Sequence, residues 1–127
     1  LPPDDPLAWI ERARSNLVRM GHIDPDALLE DYCFGAQQAA EKAIKAVFVH
    51  RGETFPYTHD LLRLLLLLES NGQKVPKYVK AVEDLTQYAH VTRYPGIIKV
   101  VTQREFRRAA RIATTVLRWA ERPVETP

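Results

Sequence analysis

Every break in this chain carries glycine or proline, and between the breaks apolar residues recur at intervals of three and four without alternating. That spacing stacks side chains on one side of a helix, and no stretch alternates between hairpin signals as a strand would. Helices that bury one face against each other are the remaining solution, so the fold class is all-α: an antiparallel up-and-down four-helix bundle with an additional short helix. Pro6 suits the first turn of a helix, where its missing N–H costs nothing; that helix carries Trp9, Ile10, Ala13, Leu17 and Met20 and stops at Gly21. Asp24-Pro25 repeats the start signal and predicts a second helix to about Arg51, closing on Gly52. Thr58 or His59 opens a third, ending near Asn71-Gly72. Val75-Pro76 opens a fourth with Val79, Val82, Leu85, Tyr88 and Ala89, ended by Tyr94-Pro95-Gly96. Thr102-Gln103-Arg104-Glu105 fits a capping box, and the fifth helix then runs to about Arg122.

At 127 residues the chain is expected to be one domain, residues 1–127, large enough to bury a core without staples. Cys33 is its single cysteine, so no internal disulfide forms; its apolar neighbours Leu28, Leu29, Tyr32 and Phe34 make it a buried structural thiol. No Cys/His spacing suits zinc, and a reducing cytoplasm is the expected setting. The leucine run from Leu61 to Leu68 falls far short of the roughly 20 apolar residues that span a bilayer, and Arg63 and Glu69 interrupt and end it. Leu1-Pro2-Pro3-Asp4-Asp5-Pro6 is acidic and unlike a signal peptide.

Charge is unevenly placed. Residues 1–31 hold seven acids against three arginines, whereas residues 99–122 hold seven bases against Glu105 and Glu121. Such a basic end attracts anions. Its arginines at 104, 107, 108, 111 and 118 stand at helical spacing, ordinarily a solvated face, with nucleic acid as the weaker alternative.

The second helix has two stripes. Gly35, Ala36, Ala39, Ala40, Ala43 and Ala46 form one of small residues that lets a neighbour approach closely; Gln38, Glu41, Lys42 and Lys45 form a polar one. By spacing alone the polar stripe is a solvated face with a Glu41–Lys45 pair at i,i+4. Gln38-Ala39-Ala40-Glu41-Lys42, then Thr58-His59-Asp60-Leu61, then Thr92-Arg93-Tyr94-Pro95-Gly96, in this order, resemble the HEPN family, named for higher eukaryotes, prokaryotes and nucleotide binding; the resemblance spans residues 30–96. It implies a ligand-facing or interface role for the stripe. His59 and Asp60, being adjacent, share no helical face, so Thr58 or Asp60 caps the helix and His59 bonds within the bundle. Tyr94 precedes a proline and is pushed out of helical geometry, which could carry Arg93 and Tyr94 into a cleft. Arg93 suits a phosphate and Tyr94 a base; capping of helix-end carbonyls by Arg93 is the ordinary alternative.

The chain departs from HEPN ribonucleases, which carry an Arg followed four to six residues later by His. Arg93 is followed by Gly96 through Val101 without a histidine, and His22, His50, His59 and His90 all precede it. The acid–base pair that would activate a ribose hydroxyl is missing. The resemblance therefore implies a nucleotide-binding or regulatory HEPN module with no catalytic residues and no intrinsic cofactor. It further implies a homodimer partnered by a minimal nucleotidyltransferase, as in toxin–antitoxin-type pairs. Its nucleotide, ATP or similar, would meet Gln38, Glu41, Lys42, Lys45, His59, Arg93 and Tyr94. The alternatives are a ribonuclease toxin using His90, Arg93 and Tyr94, and a dimeric scaffold without ligand.

Overall fold

Among the described residues five helices follow one another, and the second touches all the others. The computed structural model describes residues 4–89 and 100–125; His90, Arg93, Tyr94 and the Tyr94-Pro95-Gly96 terminator lie outside them. The first helix, α1, is Pro6–Met20, where the Asp5 carboxylate accepts the Leu7 N–H at 2.9 Å. Next comes α2, Leu29–His50, with a buried side of Cys33, Ala36, Gln37, Ala39, Ala40, Glu41, Ala43, Ile44, Ala46, Val47 and Phe48.

This helix begins four residues later than Asp24-Pro25 suggests. The Asp24 carboxylate spends its oxygen on the N–H of Asp26, 2.8 Å away, and its carbonyl accepts from Ala27, which makes a turn in place of a helix start. Tyr32 holds that turn down, its hydroxyl accepting the Asp24 N–H at 2.9 Å. Leu28 cannot cap α2, and Glu30 and Asp31 stand in the first turn, where the helix dipole favours acids.

Gly52 ends α2 at φ +67°, with the Glu53 N–H reaching back to the Phe48 carbonyl. Gly72 ends α3, Leu61–Ser70, in the same way at φ +100°, with Gln73 reaching Leu68. Both are left-handed caps that a side chain would strain. Arg51 ties the two ends together, donating to Glu53 and Gln73 at 3.1 Å and to the Asn71 carbonyl.

Lys77–Ala89 winds as a 3₁₀ helix, η1, not as the α-helix its apolar spacing suggests. The reason lies in that spacing: Val79, Val82, Leu85 and Tyr88 are buried and stand three apart, with the small Ala89 beside the last of them. Such a row spirals round an α-helix but stays on one side at three residues per turn. Finally, α4 runs Gln103–Glu125 behind the expected capping box, with the Glu105 N–H on Thr102 Oγ1 at 3.1 Å. It passes through Pro123 into a last half-turn beyond Arg122.

The helices form the expected up-and-down bundle with α3 as the short extra element, and among the described residues there is no strand. Around α2 the core gathers Ile10 and Ala13 of α1, Leu61, Leu64, Leu65 and Leu68 of α3, Val79, Val82 and Leu85 of η1, and Ala113 and Val116 of α4. Among the described residues no helix is long and apolar enough to cross a membrane.

Candidate functional site

Of the polar stripe of α2, Glu41 is buried and Gln38, Lys42 and Lys45 are half-buried. Gln37 is fully buried and Glu41 is 5% exposed, the two buried polar residues of a core otherwise apolar among the described residues. An ionised carboxylate survives such burial only if its oxygens are well supplied with donors. Glu41 is: Oε1 accepts from Gln37 Nε2 at 3.0 Å and from His59 Nδ1 at 2.8 Å, and Oε2 from Lys45 Nζ at 3.1 Å. Gln38 extends the chain, its amide donating to Gln37 Oε1 at 2.7 Å. Burial alone would push the Glu41 carboxyl above its ordinary range; the hydrogen bonds from His59 and Lys45 outweigh it and hold the group below.

Lys45 is enclosed as well. Its ammonium lies 5.1 Å from the Phe55 ring centroid and 5.9 Å from that of Trp9, so a carboxylate and two aromatic rings surround one charge. Phe55 is itself wedged edge-on between Trp9 and Phe48, at 6.0 and 5.7 Å between centroids. The segment between α2 and α3 is thus pinned by Phe55 in the core and by Asp60, whose carboxylate accepts the Arg63 N–H at 3.2 Å as the cap of α3. Thr58 accepts from the Asp60 N–H at 3.1 Å. His59 sits between these anchors and turns inward to Glu41, with the fully exposed Tyr57 edge-on to its ring at 6.0 Å.

Lys42 goes elsewhere. It reaches Asn16 of α1 at 2.9 Å, and its amine is pushed below its ordinary value by burial and then by the neighbouring charge of Arg12, with Arg19 adding to this. Lys42, Arg12 and Arg19 make no ion pair among the described residues. Of the candidates named from sequence, the structure therefore unites Gln38, Glu41, Lys45 and His59, sets Lys42 on the α1 side, and leaves Arg93 and Tyr94 outside the described residues. Gln37, Trp9, Phe55 and Asn16 were not foreseen. Gln37 carried a signal: it stands four before Glu41, where a side-chain bond is expected.

Beside Lys42, the second half of α1 and the start of α2 border a groove of about 500 Å³ lined by Asn16, Arg19, His22, Tyr32, Phe34 and Gly35. Among the described residues no three His, Cys, Asp or Glu side chains are grouped to hold a metal ion. Cys33 is fully buried, and burial raises its thiol to about 11.

Comparison with known proteins agrees with this architecture. None of the curated proteins matches the chain. The crystal structure of TT1696 from Thermus thermophilus superposes with a TM-score of 0.78 at 27% identity, covering 94% of this chain and 98% of that one. An archaeal HEPN homologue superposes at 0.74 and 22% identity, covering 94% and 97%, which shows the shared fold. The family model of the HEPN domain matches residues 7–123, nearly the whole length of the bundle, and the chain belongs to that family.

Proposed function

We propose that this chain is a HEPN binding and regulatory module that takes a nucleotide such as ATP and works beside a minimal nucleotidyltransferase in a toxin–antitoxin-type pair. The observation that carries this reading is the fixed imidazole of His59. A buried, ionised Glu41 holds Nδ1, so the ring has one tautomer and one orientation, the arrangement that serves a ligand contact better than a mobile surface histidine. Lys45 supports the carboxylate and is not itself a phosphate contact; Lys42, with Arg12 and Arg19 beside it, is the cation left to meet an anion. Arg93 and Tyr94 complete the proposed set on the strength of the family resemblance.

A homodimer is part of the same proposal. A side chain added at Gly35 would meet nothing within 4 Å, although a mid-helix glycine costs about 1 kcal/mol against alanine. The helix thus carries a destabilising residue that no contact among the described residues requires, beside a groove lined in part by Val18, which is 64% exposed. A second copy approaching at Gly35 accounts for both.

Titration calorimetry with ATP in low salt, on the chain alone and with a minimal nucleotidyltransferase, tests the ligand. Binding that weakens at least about tenfold in both His59→Asn and Lys42→Met supports the site. Unchanged binding, or none even with the nucleotidyltransferase present, leaves a scaffold without ligand.

A further inference from the structure

Five arginines on α4, at 104, 107, 111, 118 and 122, are all exposed, and none is ion-paired among the described residues. At 100° per residue they fall within about 60° of one another, a single stripe about 27 Å long at 1.5 Å rise per residue. The acids of α4 do not neutralise it. Glu121 and Glu125 stand three residues after Arg118 and Arg122, the spacing at which helical pairs form. Both are instead drawn across to Arg14 of α1, with Glu121 Oε2 at 3.0 Å. Glu105 is occupied by Thr102 in the capping box. Arg108, beside the stripe, is paired with Asp84. Each α4 carboxylate is thus engaged by a group other than an arginine of the stripe.

The occupant follows from what the stripe contains. Its basic groups are all guanidinium, whose fork matches phosphate oxygens two at a time. Between Arg111 and Arg118 lies a depression of about 300 Å³ lined by Ala110, Thr114 and Thr115. Among the described residues no large apolar or aromatic side chain of α4 shares this face. A protein interface needs an apolar centre, and a single-stranded nucleic acid needs rings to stack on, so both fit poorly. A rigid row of cations with nothing to read a base suits the regular phosphodiester backbone of a duplex. We propose that the outer face of α4 binds the backbone of double-stranded nucleic acid without sequence preference, independently of the Glu41–His59 site.

The test is fluorescence anisotropy with a labelled 20-base-pair DNA, the RNA duplex of the same sequence, each single strand, and polyglutamate. Micromolar binding of a duplex at about 50 mM salt is expected, with log affinity falling against log salt at a slope of about −4. The DNA and RNA arms say which duplex is preferred, and both strands alone bind more weakly. Arg111→Gln/Arg118→Gln should lower duplex affinity about tenfold and reduce the slope by about two; Lys77→Gln, exposed at the start of η1, should leave it unchanged. Arg14→Gln frees Glu121 and Glu125 and should weaken binding, and Glu121→Gln/Glu125→Gln added to it should restore it. The altered side chains lie on the surface, and unchanged thermal midpoints confirm folding. No duplex binding at low salt, equal affinity of the Arg111/Arg118 variant, or tighter binding of single strands or polyglutamate overturns the proposal.

Discussion

His59 Nδ1 lies 2.8 Å from Glu41 Oε1, and because an ionised carboxylate only accepts, that contact places a proton on Nδ1. The same carboxylate takes Lys45 and Gln37, so one buried charge ties α2 to the segment that follows it and holds the ammonium of the aromatic cage.

Removing that charge should be costly. Glu41→Gln leaves Lys45 enclosed by Trp9 and Phe55 without a counter-ion, and about 3 kcal/mol of stability should be lost. Urea unfolding measures it; a loss under 1 kcal/mol would show that water reaches the pair.

Acid should act through the same group. The folded pKa of Glu41 lies below its ordinary 4.5, so its contribution is present above that value and disappears as pH falls through the folded pKa. Wild type should lose stability steeply below about pH 4.5. Glu41→Gln, weaker at neutrality, should decline less over that interval in thermal melts across the pH range.

Lys42 behaves oppositely. Its charge is disfavoured in the folded chain, so the folded state holds this proton less tightly and gains stability as pH rises toward 10.5. Lys42→Met should keep or raise the melting temperature while weakening nucleotide binding, the mark of a residue kept for function. A fall in stability with binding intact would assign Lys42 to the fold.

Cys33, with its thiol raised to about 11 by burial, should resist alkylation at pH 8 in the native chain and react readily in denaturant. Mass spectrometry after timed iodoacetamide exposure distinguishes the two.

Gly35→Ala should stabilise the single chain by about 0.5–1 kcal/mol, since the new methyl meets no described atom of its own chain within 4 Å. Gly35→Arg should shift a sedimenting dimer to a 14.5 kDa monomer without unfolding it. Sedimentation of wild type as a monomer at micromolar concentration removes the dimer.

Replacing His59 or His90 with alanine should leave no RNA cleavage to lose. Cleavage of single-stranded RNA by wild type that either variant abolishes would establish the ribonuclease alternative.

What the sequence made legible was local chemistry. Asp5-Pro6, the glycines at 52 and 72 and the capping box at Thr102 act through backbone geometry within a few residues, so their effects can be placed from the string alone. The start of α2 failed because Asp24 had two local uses and chose the turn. The winding of η1 was present as the threefold spacing of Val79, Val82, Leu85 and Tyr88, but Ala89, four after Leu85, fits an α-helical step, so the string reads as ordinary helix. Burial of Gln37 and Glu41 could not be read from periodicity, because it depends on which arc of α2 the 51–60 segment covers. That covering is set by Phe55, whose partners Trp9 and Phe48 are distant in sequence.

Arg51, bridging the ends of α2 and α3, makes the piece of chain that bears His59 a strut braced at its foot. Glu53 is held by Arg51 and Asn71, Phe55 is sunk among rings, and Asp60 is locked into the first turn of α3. Slack of one residue inserted between Thr54 and Thr58 would have nowhere to go but outward, carrying the imidazole off its carboxylate. This segment should therefore tolerate changes of residue far better than changes of length.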